Sequence, residues 1–98
     1  MIEHIVLIKT STTTTEEQKQ ELIRMTLSLK HVIPGIVDIQ QGINFSSRNQ
    51  GYDIGLTIRF KDRESLEYYL PHPAHQEVVS YLKTIGVENS IIVDFEIQ

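Results

Sequence analysis

Ile2–Lys9 is a near-continuous apolar run rich in β-branched residues, and the Thr/Ser stretch Thr10–Thr15 bounds it. Such a run predicts a strand buried on both faces. Thr15 then predicts a helix start, because Gln18 three residues on completes a capping box and Glu16 and Glu17 favour the positive helix end. Leu22, Met25, Thr26, Leu29, Val32 and Ile33 recur at three- and four-residue spacing, giving one stripe to bury. Pro34-Gly35 stops that helix.

From Ile36 to Phe45 the chain alternates, with Val37, Ile39, Ile43 and Phe45 on one face and Asp38, Gln40 and Asn44 on the other. Ser46–Gly51 reads as a turn. Tyr52–Phe60 is the next strand, with Ile54, Leu56, Ile58 and Phe60 sharing a face opposite Asp53, Gly55, Thr57 and Arg59. Asp62 predicts a second helix whose inward stripe is Leu66, Tyr69 and Leu70. Pro71 and Pro73 kink it. His75, Val78, Val79 and Leu82 carry the stripe onward until Gly86 closes the helix, and Ser90–Ile97 is the last strand.

The order strand-helix-strand-strand-helix-strand predicts an α+β, ferredoxin-like βαββαβ subunit. Right-handed crossovers place both helices on one sheet face, with the first and last strands side by side and antiparallel. The other face would carry Ile5, Leu7, Val93 and Phe95 among polar neighbours such as Thr57 and Arg59. Four large apolar side chains together form an unusual patch for a monomer. Burying one is worth about 1.5–3 kcal/mol, so a homodimer through the sheet faces is expected.

Composition narrows the function classes. Residues 1–98 suit one domain, whose core hides about 60–65% of the unfolded surface at this size. The values of 40% hydrophobic and 22% charged residues are those of a globular chain. A net charge of −4 with nine scattered Lys and Arg residues supplies no basic face for nucleic acid. No apolar run approaches the roughly 20 residues of a membrane span, and Met1–Ile8 lacks the basic leader of a signal peptide. With no cysteine there is no disulfide framework, and a cytoplasmic location is expected.

The chemistry concentrates in Tyr69-Leu70-Pro71-His72-Pro73-Ala74-His75, which holds a phenol and two imidazoles. Tyr69 and His75 fall on the inward stripes of the two helix halves, where the kink can open a gap. A neutral imidazole is a good proton acceptor near its ordinary pKa of about 6.5, and a phenol can polarise a carbonyl. His4 lies on the helix-facing side of its strand with Val6 and Ile8. Antiparallel pairing brings Asp94 beside His4, where a carboxylate fixes the imidazole tautomer. The structural alternative is a satisfied buried pair at His4 and Asp94, with Tyr69 as core filler and His75 as a first-turn residue. His72 reads as a local cap. A proline between His72 and His75, with no acidic residue nearby, argues against a metal site. There is no phosphate-binding glycine loop and no serine elbow.

The elements His4-Ile5-Val6, Thr15-Glu16-Glu17-Gln18, Ile33-Pro34-Gly35, Gly51-Tyr52-Asp53, His72-Pro73-Ala74-His75 and Val93-Asp94-Phe95 resemble, in order and over nearly the whole chain, the stress-responsive dimeric α/β-barrel (Dabb) family. That resemblance implies a homodimer whose two sheets form a barrel. It also implies a pocket between sheet and helices. The family includes plant stress proteins and a plant polyketide cyclase in which a histidine and a tyrosine of this motif are catalytic. By motif those roles fall on His75 and Tyr69, and His4 lines the pocket. The candidate ligand-binding set is then His4, Val6, Ile8, Leu22, Ile23, Thr26, Leu56, Ile92 and Asp94. The cyclase carries bulky aromatics on its first helix where this chain has Leu22, Ile23 and Thr26, so its pocket shape does not carry over. Three functions follow: a dimer that binds a small apolar or phenolic molecule, a cofactor-free cyclase-type enzyme, and a monooxygenase-like or haem-binding relative. The first is the favoured reading, with no cofactor and no metal. One fold hosts all three.

Overall fold

The Thr15 hydroxyl accepts from the Gln18 amide at 3.1 Å, and the Gln18 side chain accepts from the Thr15 amide at 2.9 Å. With its capping box closed, α1 runs Glu16–Ser28 and tightens into a 3-10 turn, Leu29–His31. The computed structural model describes residues 1–98. Its strands β1 (Ile2–Thr10), β2 (Ile36–Ile43), β3 (Ile54–Phe60) and β4 (Val87–Glu96) form one antiparallel sheet of order β2-β3-β1-β4. Helices α1, α2 (Arg63–Tyr69) and α3 (Pro73–Ile85) cover one face of it. This is the ferredoxin-like α+β fold. No helix is long and apolar enough to cross a membrane.

The second helix is two helices rather than one bent helix, because each part has its own cap. The Asp62 carboxylate accepts from the Ser65 amide at 2.8 Å to start α2. His72 Nδ1 accepts from the Ala74 amide at 3.1 Å to start α3, with Pro73 in the first turn, where a missing N–H costs nothing. Gly86 ends α3 at a φ of +102°, and a Cβ there would meet the Ser11 Cβ at 2.8 Å. Both demands select glycine.

The sheet departs from the sequence reading in places. Only the even positions Ile2, His4, Ile8 and Thr10 of β1 are buried, while Leu7 is exposed, so the apolar run covers one face of the isolated subunit and leaves the other bare. In β2 the register slips between Ile36 and Asp38. Val37 is the extra residue and turns outward, so Ile36 takes the place against Phe60, and the helix-facing set becomes Ile36, Ile39, Gln41 and Ile43. Phe45 lies beyond the strand and is 98% exposed. Val32 is also exposed, since the 3-10 turn winds at about 3.0 rather than 3.6 residues per turn and rotates it off the stripe. The last strand starts at Val87, earlier than Ser90, and β3 starts at Ile54 rather than Tyr52.

The bare sheet face carries Leu7, Ile91, Val93 and Phe95, all exposed, with the partly buried Ile5 opposite Val93. Beneath the helices the core is divided. One cluster gathers Ile2, Leu29, Ile33, Ile39, Leu56, Ile58, Phe60 and Tyr69; the other holds Ile8, Leu22, Ile54 and Ile85. Val6 and Val78 touch both.

Asp53 clamps the second cluster's end of the molecule. It accepts from the Thr10 amide at 2.9 Å and from the Thr10 hydroxyl, and it pairs with Lys19 at 3.0 Å. Burial acts to raise this carboxyl, but the bonds from Thr10 and Lys19 outweigh it and hold it below the usual carboxylate range. A folded pKa below the unfolded one gives stability that is complete above about pH 4 and fades as pH falls through the folded value. Asp53→Asn is expected to cost about 1–3 kcal/mol at pH 7 in urea unfolding. The variant should also lose less stability than the parent on acidification below about pH 4.

Candidate functional site

The gap between the two core clusters is a chamber of about 250 Å³. Its floor is the helix-facing side of the sheet: Val6, with Leu56 and Ile92 paired on either side, and Ile8 and His4 along β1. Leu22 and Thr26 of α1 and Val78, Val79 and Leu82 of α3 close it from above. Ile92 is 58% exposed because β4 is the sheet's edge, so the chamber is least covered there.

Three rings meet at one end. Tyr69, the last residue of α2, is 2% exposed and packs edge-on against Phe60 at a centroid distance of 5.0 Å. His75 lies 4.1 Å from the Tyr69 ring at an interplanar angle of 33°. His4 is 6.0 Å from Tyr69 on the other side. The break at Pro71 makes this possible, since it lets Tyr69 close one helix while His75 opens the next.

Hydrogen bonds fix the proton on each ring. His75 Nδ1 lies 2.9 Å from the Leu70 carbonyl, which only accepts, so Nδ1–H donates and the neutral ring keeps its lone pair on Nε2. Burial pushes the His75 pKa down; the Leu70 carbonyl opposes this, and the nearby His4 and His72 add to it. The ring is therefore neutral at pH 7. Burial alone acts on the Tyr69 phenol and raises it far above its usual range, which keeps it a protonated donor. His4 Nδ1 bonds the Asp94 carboxylate, as their register demands, and Nε2 makes no hydrogen bond within the chain.

The structure brings His4, Val6, Ile8, Leu22, Thr26, Leu56, Tyr69, His75 and Ile92 together around this chamber. Ile23 is not among the lining residues: it sits one position beyond Leu22, about 100° around α1. Asp94 does not line the chamber either, and acts on it only through His4. Sequence reasoning missed Gln41, whose side chain joins the lining and whose amide oxygen and nitrogen are both buried without a hydrogen-bond partner. The signal was a glutamine at a buried alternate position between Ile39 and Ile43. Nowhere do three or more His, Asp or Glu side chains converge as metal ligands.

Residues 2–97 match the model of the Stress Responsive A/B Barrel Domain family, Dabb. The chain belongs to the Dabb family. Its similarity to the olivetolic acid cyclase of Cannabis sativa is 29% identity over 76 residues, 76% of this chain and 75% of that protein. A crystal structure of an Arabidopsis thaliana protein superposes with a TM-score of 0.89 at 22% identity, covering 100% of this chain and 96% of the other. A dimeric ferredoxin-like protein of unknown function from Jannaschia sp. gives a TM-score of 0.83 at 24% identity, with 98% of both chains covered. These likenesses show that the chain has the ferredoxin-like fold.

Proposed function

We propose that this Dabb protein is a cytoplasmic homodimer, paired through its open sheet faces, that holds a small apolar or phenolic molecule in the chamber of each subunit. The observation that carries the reading is the ring pair at the chamber's end. A buried protonated phenol lies 4.1 Å from a neutral imidazole, in a chamber lined mostly by apolar side chains. A mostly apolar cavity with a few convergent polar groups is the usual form of a small-molecule site. The test is a thermal-shift screen of small phenols and apolar carbonyl compounds against the parent and His75→Ala. Hits that stabilise the parent should lose most of that shift in the variant while it still elutes as a dimer. Equal shifts in both proteins would remove the site.

The proton placement also favours a second reading, an enzyme of the cyclase type. His75 Nε2 would take a proton from carbon next to a carbonyl, the C–H electron pair moving onto the carbonyl oxygen while Tyr69 donates to it. The enolate would then attack a second carbonyl, and the imidazolium would return its proton to the new alkoxide. This predicts α-proton exchange of a β-diketone in D2O, observed by NMR and abolished in His75→Ala. Because the His75 pKa lies below about 6.5, the exchange rate should hold steady above that pH and fall on acidification beneath it. A rate that rises as pH drops would contradict His75 as the base.

A further inference from the structure

Gln41 is the chamber's unexplained polar group. Its amide presents one acceptor and two donors, all withdrawn from solvent and all unpaired within the chain. A buried polar group left this way is costly, and native structures retain few of them without a reason. Its neighbours offer no relief: Leu56 stands beside it across β3, and Ile39 and Ile43 flank it on its own strand face. Thr26, across the chamber on α1, already gives its hydroxyl to the Leu22 carbonyl at 2.9 Å.

Sheet geometry sets its distance from β1. Gln41 is on β2, Leu56 on β3 and Val6 on β1, one opposite the next, so two strand spacings, about 10 Å, separate Gln41 from the strand that bears His4. Leu56 stands between Gln41 and Val6 in the sheet, and Leu22 also lines the chamber.

We propose that Gln41 is a specificity-determining residue that hydrogen-bonds the far end of the chamber's ligand. This rests on the reading of the chamber as a ligand site and sharpens the ligand class. The ligand is polar at both ends and apolar between them. A phenol or carbonyl lies at Tyr69 and His75, and a group that both donates and accepts, such as a hydroxyl, lies at Gln41, about 10 Å across the sheet from β1. A simple alkyl tail would leave the amide unpaired.

A matched pair of probes tests this: 4-(3-hydroxypropyl)phenol and 4-butylphenol, which differ by a terminal hydroxyl in place of a methyl. Titration calorimetry should show the parent dimer preferring the hydroxyl probe by about tenfold, after correction for their different transfer from water. Gln41→Met, which keeps the side chain's length and removes its polarity, should reverse that preference. Gln41→Leu supplies the same comparison if the methionine variant folds poorly. An unchanged preference in a folded variant overturns the role of Gln41. If His75→Ala still abolishes binding of both probes in that case, the chamber remains a ligand site. Binding of neither probe by the parent overturns both proposals.

Discussion

Tyr69→Ala is expected to destabilise the protein by about 3–5 kcal/mol, the cost of removing a large aromatic from a core. Tyr69 is 2% exposed and belongs to the larger core cluster, where it packs on Phe60 at 5.0 Å. Its loss would merge the chamber with the cavity left behind, so the site has little chance to collapse. Tyr69→Phe separates packing from chemistry. The ring contacts survive, and the phenol has no hydrogen bond within the chain to lose, so the stability change should stay below about 1 kcal/mol. Phenolic probes should nonetheless bind more weakly to Tyr69→Phe. Urea unfolding combined with probe titration checks both halves. A large stability loss in Tyr69→Phe would mean that the hydroxyl serves the fold rather than the chamber.

Val93→Lys should break the proposed dimer into monomers. Val93 is paired with Ile5 near the middle of the bare face and is 47% exposed in the subunit. Two-fold pairing of the sheets would bury it in both protomers at once. An unpaired ammonium there would cost about 3–5 kcal/mol at each copy, more than the burial of the apolar side chain returns. Sedimentation equilibrium should show a monomer whose thermal midpoint no longer depends on protein concentration. Thr57→Lys, on the same face over β3, gives a control for position. Dimers of unchanged affinity in Val93→Lys would relocate the interface.

How much of this was legible in the sequence differs by element. The fold was readable because its signals are local: the capping box at Thr15, the caps at Asp62 and His72, and the two-residue period of Ile54–Phe60. The His4–Asp94 pair was readable too, since antiparallel pairing of the end strands fixes the partner. What failed was the start of β2. Ile39 and Ile43 share a face as their spacing implies, but a bulge at Val37 turns that residue outward and puts Ile36 on the helix side, and periodicity alone gives no sign of the extra residue. Gln41 was passed over for a related reason, because a polar residue at an inward position looks like an error in the alternation until a cavity is found beneath it. Ile23 shows the opposite failure, an apolar neighbour of Leu22 assigned to a wall that the helix turns away from.

Occupancy of the chamber is read out by a shift map from 1H–15N and histidine-ring NMR during titration with 4-butylphenol. Saturable perturbations should centre on the His4 and His75 rings, Leu22, Tyr69 and Ile92. Perturbations confined to the sheet face around Ile5 and Val93, or none at saturating probe, would contradict it.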